Sequence, residues 1–136
     1  MKRLIVFCAV LFLVVNAQGQ PVPLADSAVT TKHQTTANGQ KFAYTARTGT
    51  QPVWDEKGKP IAAIHYTYYT RDDISNRDKR PLVISFNGGP GSASVWMHIA
   101  YTGPRLLNID DEGYPIQPYG IKENPYSILD IADIVY

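Results

Sequence analysis

The stretch Asn87-Gly88-Gly89-Pro90-Gly91 joins an apolar run, Leu82-Val83-Ile84-Ser85-Phe86, to a helix-compatible segment that begins near Ser92. Adjacent glycines at the end of a buried strand leave backbone N–H groups open, because no Cβ shields them. Donors fixed in such a place suit acyl transfer, where they stabilise the oxyanion of a tetrahedral intermediate. Pro90 has no N–H, so it shapes the loop without donating. A plain glycine-rich turn would have the same composition. The strand before these residues and the helix after them favour the chemical interpretation.

An oxyanion donor needs a nucleophile, and the obvious ones are missing. Ser92 and Ser94 follow the glycines, but neither has glycine at both flanking positions, and no Gly-x-Ser-x-Gly occurs anywhere in the chain. His98 falls on the expected helix, where a packed or solvated histidine is the simpler expectation than a base. Cys8 is the only cysteine and lies in the N-terminal apolar run. A chain processed past it would have no disulfide, no thiol nucleophile and no thiolate metal site. His33, His65 and His98 lack zinc-ligand spacing. No Gly-Lys-Ser/Thr follows the glycines, so a phosphate-binding loop is excluded and no metal or other cofactor is implied. With a formal charge of +1 and scattered basic residues, a nucleic-acid partner is not expected.

The elements that must hold the loop can be read outward from it. Lys2, Arg3 and the apolar run over residues 4–15 form an export signal, with small residues offering cleavage after Ala17 or Gly19. The run is shorter than the roughly 20 residues a membrane span needs. Residues 1–19 are thus expected as a cleavable signal peptide and the protein as periplasmic or extracellular, with no stable membrane span. Residues 20–38 are Ser/Thr/Ala-rich and read as a flexible arm. Residues 40–48 alternate, with Phe42 and Tyr44 on one face, and Asp55-Glu56-Lys57-Gly58 signals a turn. Residues 61–70 give a second strand with Ile64, Tyr66 and Tyr68 on one face.

Residues 71–80 contain seven charged side chains and read as a solvated loop. Residues 81–86 are almost continuously apolar, the pattern of a strand covered on both faces. Residues 93–100 suit a short helix stopped by Gly103-Pro104. Residues 108–126 are turn-rich, and residues 128–136 supply a further strand. The expected fold class is α/β: the front part of an α/β-hydrolase sheet, incomplete, with an antiparallel start and then strand, oxyanion loop, helix and strand. The ending Asp133-Ile134-Val135-Tyr136 reads as the start of a strand, so residues 39–136 are expected to be the N-terminal portion of a larger domain.

The run Pro81-Leu82-Val83-Ile84 followed by Asn87-Gly88-Gly89-Pro90-Gly91 resembles the serine carboxypeptidases, α/β-hydrolases that release C-terminal residues. Gly103-Pro104, Glu123-Asn124-Pro125-Tyr126-Ser127 and Ala132-Asp133-Ile134-Val135-Tyr136 are similar to further segments of that family. The resemblance covers roughly residues 42–136. It implies that the Gly89 N–H forms half of the oxyanion hole. It also implies that Asn87 and Gly88 bind the terminal carboxylate of peptide substrates, through a side-chain amide and a backbone N–H. Ser85, Ser92 and Tyr101 depart from the Trp, Cys and Glu that many members carry.

In this fold the triad Ser, Asp and His all follow the oxyanion loop. None of the three is expected in this chain, which alone would be inactive. Two alternatives stay open: another α/β-hydrolase, such as a proline aminopeptidase or an esterase, and a non-catalytic truncated exported domain. Asn87 at the head of the loop, rather than His, favours the carboxypeptidase. Nothing in the sequence points to a particular oligomeric state.

Overall fold

The computed structural model describes residues 27–136. Its first three strands form an antiparallel meander: β1 (Ala28–Ala37), β2 (Gln40–Trp54) and β3 (Pro60–Arg71). Asn38 and Gly39 connect β1 to β2 with φ of 49° and 76°. Two positive φ values in a two-residue loop match the right-handed twist of a hairpin, and Asn-Gly adopts them at little cost. At the next corner, Asp55 Oδ1 accepts the N–H groups of Lys57 (2.9 Å) and Lys59 (2.8 Å), and Gly58 takes a φ of 75°.

Residues 28–37 correct the expectation of a flexible arm over 20–38. They pair along β2 from Ala28 opposite Gly49 to Ala37 opposite Gln40. Thr30, Thr31, Thr35 and Thr36 are β-branched and fit a pleated surface, which outweighs their polar composition. The rest of the expected arm, and the export signal over residues 1–19, lie outside the described residues.

β2 also runs past its expected end, through Pro52 to Trp54. Among the described residues β1 pairs no further than Ala28 opposite Gly49, so beyond Gly49 that side of β2 has no described partner strand, and a residue lacking an N–H is tolerated at such an edge.

Two short parallel strands complete the sheet: β4 (Leu82–Ile84) and β7 (Asp133–Val135), in the order β1-β2-β3-β7-β4. Tyr69 of β3 pairs antiparallel with Ile134 of β7, and Ile134 pairs parallel with Val83 of β4. Between β4 and β7 the chain forms a helical turn, Met97–Thr102, and a separate two-stranded sheet of β5 (Arg105–Leu107) and β6 (Ile121–Glu123). The outcome is a mixed sheet with an antiparallel start and little helix, compatible with part of an α/β fold.

The core lies on one face of this sheet. Ala37, Phe42, Tyr44, Leu129 and Ile134 are buried together, with Tyr69, Val83 and Tyr136 packed against them. The opposite face carries Arg47, Tyr66, Tyr68, Leu82 and Val135 around an open depression. β4 therefore differs from the expected strand covered on both faces. It stands at the sheet edge, and Leu82, Ile84 and Phe86 are 54%, 68% and 77% exposed, because no described element lies over that face.

The charged loop is also only partly as expected. Arg77, Asp78 and Lys79 are exposed, but Arg71 and Arg80 turn inward. The Arg71 guanidinium sits 4.3 Å from the Phe42 ring centroid and donates to the Asp130 carbonyl. Arg80 Nε meets Asp133 Oδ1 at 2.7 Å, and its Nη2 donates to the Leu129 carbonyl at 2.5 Å. These arginines fasten the approach to β4 onto the approach to β7.

Candidate active site

Ser85 makes the last sheet bond of the β4 segment, donating its N–H to the Val135 carbonyl at 2.8 Å. The chain then leaves the sheet, and Asn87 to Gly91 form a loop that closes on itself. The Asn87 N–H donates to Ser94 Oγ at 3.2 Å, and Asn87 Nδ2 donates to Ser92 Oγ at 2.7 Å. The Ser92 N–H reaches the Gly89 carbonyl at 3.4 Å. Gly89 and Gly91 hold φ of 88° and 75°, which an L side chain rarely adopts.

The N–H groups of Gly88 and Gly89 have no hydrogen-bond partner among the described residues, and both glycines are exposed. No heavy atom lies within 4 Å of where a Cβ would stand on either residue. Asn87, Gly88 and Gly89 thus place a side-chain amide and two open backbone donors side by side at a strand end.

A chain of bonds anchors this loop to the fold. The His98 N–H donates to the Ser94 carbonyl at 3.1 Å, which ties the loop to the helical turn. That turn is wider than an α-helix, since the Gly103 N–H returns to the His98 carbonyl at 3.1 Å. A Cβ on Gly103 would stand 2.2 Å from that carbonyl oxygen, so only glycine fits.

The end of the turn is held from a distance. Asn124, fully buried, donates from Nδ2 to the carbonyls of Tyr101 (2.8 Å) and Gly103 (2.7 Å). Ser127 Oγ donates to the Thr102 carbonyl at 2.9 Å. Three carbonyls that a helix end would leave unpaired are satisfied by one segment. The expected helix over 93–100 is thereby displaced toward Gly103, because these long-range donors fix where the turn ends.

His98 does not face either serine as a base. Its Nε2 lies 2.6 Å from the Tyr69 hydroxyl, and its ring stacks on Tyr136 with centroids 4.5 Å apart. Tyr136 in turn shares a hydrogen bond of 2.7 Å with Thr102. Burial lowers the His98 pKa, and burial raises that of Tyr69. Burial therefore favours the neutral imidazole. Its contribution to stability is complete above the ordinary value of 6.5 and is lost as the pH falls below it. His65, Ser94, His98 and Tyr136 line a cleft of about 440 Å³ beside the loop.

Sequence reasoning placed Asn87, Gly88 and Gly89 together, and they are together here. It missed the clamp that Ser92 and Ser94 make on Asn87, although the close spacing of these residues was visible. It also missed what Asn124 and Ser127 hold, since nothing local reveals a bond to a turn more than twenty residues earlier.

The family model for serine carboxypeptidase matches residues 39–136, and the chain belongs to that family. Over 69 residues it is 33% identical to a serine carboxypeptidase of Caenorhabditis elegans, a match that covers 51% of this chain and 11% of that relative. The chain therefore matches about a tenth of the relative's length. No solved structure matches the chain.

Proposed function

We propose that the protein is an exported serine-type carboxypeptidase of the α/β-hydrolase class, in which these residues provide the oxyanion donor and the carboxylate site. The observation that carries this is the pair of unpartnered N–H groups on Gly88 and Gly89 beside the Asn87 amide. In this mechanism a serine hydroxyl attacks the carbonyl carbon of the last peptide bond. Negative charge develops on the carbonyl oxygen against the Gly89 N–H. The substrate's terminal carboxylate is held by Asn87 and the Gly88 N–H, neutral donors that bring no competing charge.

The nucleophile, its base and the aspartate of this mechanism are assigned to none of the described residues. Ser92 and Ser94 are engaged with Asn87, and His98 is engaged with Tyr69, so no activated serine forms here. The apolar run behind Lys2 and Arg3 supports export of the protein and its action on peptides outside the cytoplasm.

Asn87→Ala tests this assignment in the protein as its gene encodes it. Removing hydrogen bonds to a charged group is expected to lower kcat/KM on peptides with a free C-terminus roughly 10- to 100-fold. C-terminal amides, which lack the carboxylate, should lose little. Equal losses on both substrates would refute the carboxylate site.

A further inference from the structure

Building on the carboxylate site proposed above, a further donor at that site, beside Asn87 and the Gly88 N–H, can be named. Ser92 is exposed, and its Oγ receives a hydrogen from Asn87 Nδ2 at 2.7 Å. A serine hydroxyl can accept and donate at once. Its own hydrogen goes to no described residue, so the O–H remains available. Accepting a hydrogen bond also polarises the hydroxyl and makes it a better donor.

Asn87 Nδ2 carries two hydrogens, and one is committed to Ser92. The other is free for a ligand. The two donor atoms stand 2.7 Å apart, so a group that reaches one is within reach of the other. A carboxylate presents two acceptor oxygens of its own, and two adjacent neutral donors match it.

Ser92 is not the nucleophile, because the histidine nearest in sequence, His98, is hydrogen-bonded to Tyr69 rather than to either serine. The Asn87 backbone is meanwhile fixed by Ser94 Oγ at 3.2 Å, which leaves its side chain as the adjustable part.

We propose that Ser92 is a binding residue for the substrate's terminal carboxylate. Its hydroxyl donates to one carboxylate oxygen, while its lone pair orients the Asn87 amide so that the second N–H reaches the other. Ser92 is exposed and packs into no core, so its loss should leave the fold intact.

The test is calorimetric binding of 4-phenylbutanoate and of 4-phenylbutanamide, which have no peptide bond to cleave, to the protein as its gene encodes it. Ser92→Ala is expected to weaken the free acid roughly tenfold and the amide less than about twofold. Ser92→Thr, which retains the hydroxyl, should bind the acid as the parent does. Asn87→Ala serves as the control for the underlying site. If Asn87→Ala weakens the acid selectively and Ser92→Ala does not, the Ser92 assignment is wrong while the carboxylate site stands. Equal weakening of acid and amide by Ser92→Ala would reduce Ser92 to a structural residue. If Asn87→Ala leaves the preference for acid over amide unchanged, the carboxylate site itself fails and Ser92 with it.

Discussion

Asp133→Ala is expected to destabilise the protein by about 3–5 kcal/mol, because it leaves a buried guanidinium without its counter-charge. Arg80 and Asp133 are 6% and 10% exposed at their side chains, and Nε meets Oδ1 at 2.7 Å. Asp133 Oδ1 also accepts the Arg71 N–H at 3.2 Å, and Arg77 stands 3.8 Å from Oδ2. Without the carboxylate, Arg80 keeps only the carbonyls of Leu129 and Asp130.

Urea unfolding should show the loss as a lower midpoint at an unchanged slope. Arg80→Met with Asp133→Ala should cost less than the two single changes added together, since removing both charges leaves neither uncompensated. A loss under about 1 kcal/mol for Asp133→Ala would mean that the pair behaves as an exposed surface bridge.

Asn124→Ala is the second change with a large expected effect. It strips two bonds from the carbonyls of Tyr101 and Gly103, and a third from the Tyr126 N–H, which Oδ1 accepts at 3.0 Å. Each buried group left unsatisfied costs about 1–3 kcal/mol, so a total near 4 kcal/mol is expected.

Asn124→Asp should be at least as harmful at neutral pH, since it sets a carboxylate against two carbonyl oxygens. Burial would raise that carboxyl's pKa, so the damage should ease at mildly acidic pH, where a protonated oxygen can donate. Thermal melts of both variants at the two pH values check this. Asn124→Asp as stable as the parent at neutral pH would show that the segment is not what holds the turn.

The loop itself was the most legible part of the chain, since Asn87 to Gly91 depends on residue type over a short span. Its neighbours were harder. Ile64, Tyr66 and Tyr68 do share a face of β3, but the core takes Tyr69 from the other side. Aromatic weight on both faces hides which one turns inward. Asn38-Gly39 was a hairpin signal in plain view, masked by the threonine-rich composition before it. In the charged stretch, residue type could not distinguish the exposed Arg77 from Arg80, because only the distant Asp133 decides it. The apolar run of β4 marked a strand, but which faces are covered depends on elements far away in sequence.

The pairing pattern also orders events during synthesis. β1, β2 and β3 pair with one another only between sequence neighbours, across short corners, so this meander can close before β7 is made. β4 has no such option: its hydrogen-bonded neighbour in the sheet is β7, and β7 joins β3 where Ile134 meets Tyr69 and Val135 meets Tyr68. Until β7 is made, the segment carrying Asn87 to Gly91 lacks the strand it pairs with. The donors are therefore set in place after the meander, and Tyr69 on it is the landing point that both Ile134 and His98 must find.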